Sequence, residues 1–240
     1  MILSNKPEHV GKNVKIAKSA LFGKKTTVGD NTVISENVII YDNVKILPGC
    51  YIGPYAILGE PLGDYYKNKT AYKNPPTLLG KNSIIRSGST IYAGCHFGDN
   101  FQTGNKCNIR EFSIFGKNCV FGTLSQSDGY IKAGNNCRFH NNVFICTYTT
   151  IEDNVHFYPY SRTVDSLHPP CQSCRKGPTL KKGVIICSGA LIFPRVKVGK
   201  NSIIGADTIV TADVPDGVLA AGSPAKIIKK TKEIRCRFKK

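Results

Sequence analysis

Tryptophan is absent from the 240 residues, and methionine occurs only at position 1. Acidic residues are scarce: 16 Asp and Glu stand against 33 Lys and Arg, leaving a net charge of +17. A field of that sign draws polyanions, whether nucleic acid, anionic membrane or phosphate-rich small molecules. Aromatic residues are not interleaved with the basic ones as in single-strand nucleic-acid grooves, so no nucleic-acid partner is expected. No apolar run approaches the roughly 20 residues that cross a bilayer, so no membrane partner is expected either. Nor does the chain start with a basic end, an apolar run and a small-residue cleavage site. A cytoplasmic protein is therefore the expectation, and its 10 cysteines read as reduced thiols. Glycine is plentiful, at 23 copies, together with Asn, Val and Ile. That composition suits many short strands and tight turns better than a helical bundle.

The order of these residues has a period. From Ile16, steps of six reach Phe22, Val28, Ile34, Ile40, Ile46, Ile52 and Leu58. The register breaks, resumes at Leu79 and continues through Ile85, Ile91, Phe97, Thr103, Ile109, Phe115 and Phe121. A third run goes from Ala133 to Thr163 and a fourth from Leu180 to Val210. Glycine often follows the bulky residue, as at Gly23, Gly53, Gly98 and Gly116. Four positions on, a small or β-branched residue recurs, and Cys50, Cys95, Cys107, Cys119 and Cys137 fill that slot as small apolar residues. A period of six fits neither an amphipathic helix nor a simple alternating strand. It fits a triangular coil of three short flat strands, with the bulky residue pointing inward and a tight turn at each corner. Three such hexads close a coil that cannot be stable alone and buries its apolar face on its neighbours. The 28 hexads predict about nine coils.

These repeats resemble those of the hexapeptide-repeat acyltransferases over roughly residues 10 to 228. The resemblance implies an all-β fold, a left-handed parallel β-helix, against the usual right-handed crossover preference. It also implies a homotrimer with clefts between adjacent prisms. The expected division is a β-helix domain, residues 1–228, and a short basic tail, residues 229–240, for which a helix is admissible. Residues 60–76 and 164–178 interrupt the period, and both read as loops extruded from the rigid scaffold. Long loops on such scaffolds commonly carry function.

The ending Gly222-Ser223-Pro224-Ala225-Lys226 resembles the Gly-x-Pro-Ala-Lys/Arg closing motif of acetyltransferases in this family. The preceding VTADVPDG matches the family's V-T-x-D-V-P-x-G. The resemblance implies acetyl-CoA as co-substrate, with Lys226 near the coenzyme's phosphates. Ser188, Gly189, Gly205 and Ala206, small residues of the last coils, are expected to line the coenzyme groove, where pantetheine can lie against bare backbone.

Acyl transfer from a thioester needs a nucleophilic amine or hydroxyl, usually a general base, and a donor to the developing oxyanion. Histidine suits the base because its unperturbed pKa lies near neutrality. His9 precedes the first clear repeat, and His96 and His156 hold outward positions in their hexads. His140 instead takes the corner usually given to glycine, in RFHNNVFI. That resembles the His-Asx/Glu-x-x-Ile corner that supplies the base in lipid A-type and sugar N-acyltransferases. His168, in VDSLHPPC, resembles the Thr-x-His-Pro loop of galactoside and xenobiotic acetyltransferases. Related sugar acetyltransferases carry Asn-Asp-x-x-Pro there, so His140 and His168 both stand as candidates, each against the plainer reading of an exposed turn histidine. The stretch TGNKCNIRE resembles a pattern of sugar-modifying members, with Arg110 and Glu111 expected to pair across coils. Cys171 and Cys174, with His168 nearby, have metal-like spacing but lack a fourth ligand, and no metal is expected.

The expected activity is acetyl transfer to an amino or hydroxyl group of a sugar, with a nucleotide-linked amino sugar as the favoured acceptor. A longer-chain acyltransferase of lipid A type is an alternative, because residues 57–86 resemble its Gly-Glu-x-x-x-Asp-x-x-Tyr loop and the Asn-x-Ile-Arg that follows. A non-catalytic scaffold is another, though the intact closing motif argues against it. A γ-type carbonic anhydrase, the third, needs two histidines five residues apart, and no pair here has that spacing.

Overall fold

Strands of mostly two residues alternate with tight corners, and each strand pairs in parallel with one a coil further on. Thus His9–Val10 lies beside Thr27–Val28, and Arg138–Phe139 lies between Val120–Phe121 and His156–Phe157, a register step of 18 residues. The computed structural model describes residues 3–167 and 174–235, and it is a three-faced parallel β-solenoid. The first face has 10 strands, the second 12 and the third 10. Ten complete coils result, one more than hexad counting predicts. Val10 opens the first coil, exposed at the open end. Ser127 fills the inward position between Phe121 and Ala133, so the apparent break there is no break in the chain's path.

Two-residue strands hold because their side chains alternate rigidly between inside and outside. In Phe139 the inward ring is 1% exposed, and it stacks on Phe157 with centroids 5.1 Å apart. Phe97 and Phe115 stack at 5.6 Å in the same way. Burying one such side chain is worth about 1.5–3 kcal/mol. Ser127 is an exception to this packing: its buried hydroxyl has no hydrogen-bond partner among the described residues. The repeat-slot cysteines are buried between coils, and burial pushes the Cys50 and Cys107 thiols up to about 11. They are packing residues, not nucleophiles.

The three corners differ in chemistry. The first, between the first and second faces, is a ladder of asparagines held at positive φ, including Asn100, Asn118 and Asn136. Asparagine tolerates that conformation, and its amide then bonds to the next rung: Asn100 Nδ2 donates to Asn118 Oδ1 at 2.9 Å, and Asn118 Nδ2 to Asn136 Oδ1 at 3.1 Å. The second corner, between the second and third faces, carries His140, Tyr158, Ser188–Gly189 and Gly205–Ala206 on successive coils. The third corner, from the third face back to the first, is where both long insertions leave the prism.

The first insertion joins Ile57–Glu60 to Thr77–Leu79 and includes a short helix, Gly63–Lys67. Buried Asn74 ties its end down by donating from Nδ2 to the carbonyls of Gly59 (2.8 Å) and Asp42 (3.1 Å). The second joins Arg162–Thr163 to Thr179–Leu180. At the far end, Val218–Ala221 adds to the second face and turns back into an antiparallel strand, Lys226–Lys230, followed by a single 3-10 turn. The basic segment thus begins as a strand, because it completes the edge left open by Val218–Ala221.

Candidate active site on two corners

The second corner gathers most of the residues singled out in the sequence. His140 follows inward Phe139, and its backbone N–H donates to the Phe157 carbonyl at 2.8 Å. Its imidazole is half-buried and lies flat on the Tyr158 ring of the next coil, with centroids 4.7 Å apart and planes 16° from parallel. The stack fixes the plane of the ring. His156, outward on the adjoining face, is held below the ordinary histidine range by burial, with Arg138 and His140 adding like charge.

One and two coils beyond Tyr158 come Ser188 with Gly189, then Gly205 with Ala206. Gly189 has φ +73°, and an added Cβ there would collide with the carboxylate of Asp207. At Gly205 an added Cβ would touch the Ala221 methyl at 3.0 Å. The lane is therefore narrow and lined mainly by small residues, with the exposed Asp207 carboxylate against Gly189. The closing motif sits at its end: Ala225 N–H donates to the Ile209 carbonyl at 2.9 Å, and Lys226 pairs in register with Ala221. With coils about 4.8 Å apart, the corner from His140 to the closing motif runs about 19 Å over four steps. The edge is thus a continuous strip with a lysine at its far end.

The third corner holds a different assembly, between the two insertions. Arg110 donates to both oxygens of Glu111, at 3.1 and 2.9 Å, and to Asp128 at 3.0 Å. Arg175, in the second insertion, lies 3.5 Å from Asp128 and 2.7 Å from Asp165. Asp165 also accepts a short hydrogen bond from the Thr147 hydroxyl. Acid and base thus alternate across several coils. Arg110 and Glu111 pair as neighbours in one coil, and the bond across coils is Arg110 to Asp128. Beside this network Phe112, Tyr130 and Tyr148 form an exposed ladder with ring centroids 5.2 and 5.3 Å apart.

Asp128, Thr147, Asp165 and Arg175 escape a reading of motifs. The readable signal is a partner one coil away: Arg110 and Asp128, like Thr147 and Asp165, are 18 residues apart. His168 and Cys171 lie outside the described residues. The flanks of their segment, Leu167 and Cys174, leave from the third corner. Cys174 is half-buried, and its carbonyl accepts from Arg195 at 3.4 Å. Among the described residues no group of three His, Cys, Asp or Glu is placed to hold a metal ion. Nor is any helix there long and apolar enough to cross a membrane.

A family model, bacterial transferase hexapeptide (six repeats), matches residues 31–60. The galactoside O-acetyltransferase of Lactococcus lactis is 29% identical over 131 residues, 50% of this chain and 63% of that protein. The 2,3,4,5-tetrahydropyridine-2,6-dicarboxylate N-acetyltransferase of Staphylococcus aureus (strain bovine RF122 / ET3-1) is 37% identical over 86 residues, 36% of this chain and 35% of that protein. The chain thus spans less than two thirds of each relative. Among solved structures, the Francisella novicida UDP-N-acetylglucosamine acyltransferase superposes with a TM-score of 0.45 at 19% identity, over 93% of this chain and 70% of that one. Serine acetyltransferase with coenzyme A from Brucella abortus strain S19 gives a TM-score of 0.38 at 27% identity, over 42% and 40%.

Proposed function

We propose that this chain, which belongs to the hexapeptide-repeat acyltransferases, moves an acetyl group from acetyl-CoA to the amine of a nucleotide-linked sugar, in the cytoplasm and as a homotrimer. The observation that carries the reading is the second corner, where His140, the small-residue lane and Lys226 follow one another along a single edge.

The chemistry assigned to this chain's residues is modest. Lys226 meets the coenzyme's phosphates, and Ser188, Gly189, Gly205 and Ala206 let the pantetheine arm lie on backbone. The acceptor nitrogen attacks the thioester carbonyl. As the C–N bond forms and the C–S bond breaks, the amine proton passes to an imidazole nitrogen of His140, and the leaving sulfur departs as thiolate to be protonated. Tyr158 holds the imidazole plane for that transfer. The acceptor side is assigned to the third corner, whose carboxylates Glu111, Asp128 and Asp165, already paired with Arg110 and Arg175, can still accept from sugar hydroxyls. One chain keeps the two corners on different edges. In the proposed homotrimer the second corner of one copy faces the third corner of the next, which joins the donor and acceptor sides in one cleft. His168 is the alternative base in such a cleft, supplied from the acceptor side.

A hydroxyl acceptor is the second reading, favoured by the similarity to a galactoside O-acetyltransferase. The test is a panel of nucleotide-linked amino sugars, their hydroxyl analogues and free hexoses, each with acetyl-CoA, followed by free-thiol release. Turnover with an amino sugar nucleotide is expected. Release from none of the panel overturns the acetyltransferase reading, and release only from hydroxyl sugars replaces the amine with a hydroxyl.

A further inference from the structure

A cleft of about 520 Å³ opens where the first insertion folds over the third corner, a volume in the range of small-molecule sites. Tyr72, Phe112 and Tyr130 supply its aromatic surface, and Asn68, Asp64 and Lys73 stand on its rim. From this cleft we infer a nucleobase subsite: it takes the base of a nucleoside diphosphate, with the diphosphate running past Lys73. The inference rests on the nucleotide-linked acceptor proposed above and specifies where that nucleotide is held.

The lining of the cleft suits a flat aromatic ligand with a polar edge. The rings of Phe112 and Tyr130 lie 5.2 Å apart and 34° from parallel, and are 36% and 41% exposed. Both residues sit at positive φ, 53° and 54°, where the first corner uses asparagine. A bulky side chain there costs about 1–2 kcal/mol, as it also does at Tyr55, Leu124 and Tyr160 on the second corner. One coil below, the matching rung is Gly94, at φ +80°, and the Phe112 ring packs over it, 2.5 Å from where a Cβ would stand. The aromatic stack therefore ends at Phe112, and the faces of its rings open toward the first insertion.

The rim provides the polar edge. Asn68 Oδ1 already accepts from Thr70 Oγ1 (2.9 Å) and the Ala71 N–H (3.2 Å). Its Nδ2 makes no hydrogen bond among the described residues, so it is available to a base carbonyl. Asp64 is neutralised by Lys67 at 2.9 Å. Glu111 and Asp128 are neutralised by Arg110. Lys73 makes no ion pair among the described residues and remains as a cation for phosphate. A free hexose could lie on the same rings, but it would leave Lys73 without a counter-charge. A base can stack on this aromatic platform whatever its identity, because every base has a π-face.

The test is calorimetric titration of the full chain, without acetyl-CoA, using UDP and dTDP as probes and inorganic pyrophosphate and glucosamine as controls. A nucleoside diphosphate is expected to bind more tightly than either control. Replacing one stacking ring loses roughly 5- to 150-fold in affinity, so Tyr130→Ala should weaken UDP or dTDP binding by that order. Tyr130→Phe, which keeps the ring, should bind within about twofold of the parent. Thermal melting verifies that both variants are folded. Equal affinity for pyrophosphate and nucleoside diphosphate, binding of glucosamine alone, or unchanged affinity in Tyr130→Ala would each overturn the subsite. Thiol release is a separate readout. Nucleotide binding without any acetyl transfer leaves the subsite standing and removes the acetyltransferase reading, and acetyl transfer to free sugars alone does the reverse.

Discussion

The second and third corners are turned by the same 18-residue coil, yet they are built to different ends. The second is stripped down: beyond Tyr158 it offers Ser188, Gly189, Gly205 and Ala206 and no insertion. The third is loaded with both insertions, an ion-pair network from Glu111 to Asp165 and a ladder of three aromatic rings. The interior under both is alike, since the inward residues are apolar throughout most of the coils. A solenoid thus separates the requirements of folding, met inside, from the side-chain variety displayed at the corners. A smooth edge suits a long thin ligand laid on backbone. A decorated one suits a compact polar ligand that must be oriented.

The largest effect should come from the one side chain on the second corner assigned to proton transfer. Replacing a general base lowers kcat by about 10²–10⁴-fold, so His140→Ala should do so with little change in melting temperature. Less than tenfold loss would remove His140 as base and leave His168→Ala as the next variant to assay. A smaller effect is expected at the end of the same corner. Lys226→Glu replaces the cation proposed to meet the coenzyme's phosphates with an anion, and hydrogen bonds to charged groups are worth about 1.5–3 kcal/mol. Acetyl-CoA affinity should fall by roughly 10- to 100-fold, while affinity for the acceptor stays near that of the parent. If both ligands weaken together, the division of labour between corners is wrong.

The complementary variant belongs to the third corner. Asp165 accepts from Thr147 and from Arg175, whose Nε lies 2.7 Å away. Asp165→Asn keeps the shape but removes the charge that holds Arg175. The group is partly exposed, so a stability loss of about 1 kcal/mol or less is expected from this ion pair. The acceptor KM should rise with acetyl-CoA affinity unchanged. A Lys226→Glu, Asp165→Asn double variant should show the two effects adding, because distant sites without shared partners are independent.

The fold was readable because burial in this architecture is strictly periodic. Every inward position from Phe22 to Leu58 is a bulky apolar residue, and each is 1% exposed or less. Where the period faltered, at Val10 and Ser127, the reading lost a coil, since an exposed first strand and an inward serine carry no apolar signal. The second corner was partly legible for a related reason. His140 stands out because it displaces a corner glycine, and small residues are visible as such. Its neighbour Tyr158 was missed, although it lies one register step ahead. The third corner was largely hidden. Asp128, Asp165 and Arg175 look like ordinary surface charges until the insertions are seen to leave from one edge and bring Arg175 back to Asp128.

The smallest expected effect, and the one that separates the corners by sign, is in the pH dependence of stability. Glu60, at the root of the first insertion, is partly buried, and burial holds its carboxyl above the usual range despite a hydrogen bond from the Tyr66 hydroxyl at 3.3 Å. The folded state therefore keeps a proton that the unfolded chain has already released. Its contribution favours folding below the ordinary carboxyl pKa and declines as pH rises through the folded value. His156, beside the second corner, is shifted the other way, below 6.5, by burial first and then by Arg138 and His140. Here the unfolded chain binds the proton first, so stability is complete above the unfolded value and is lost as pH falls through the folded one. Melting temperatures measured from about pH 4 to pH 8 should show this for Glu60→Gln and His156→Gln against the parent. Glu60→Gln should gain most, relative to the parent, at the neutral end, and its amide can still accept from Tyr66. His156→Gln should gain most at the acidic end. Parallel curves for all three proteins would mean that neither group titrates differently on folding, and parent-like behaviour of Glu60→Gln alone would place that carboxyl in water.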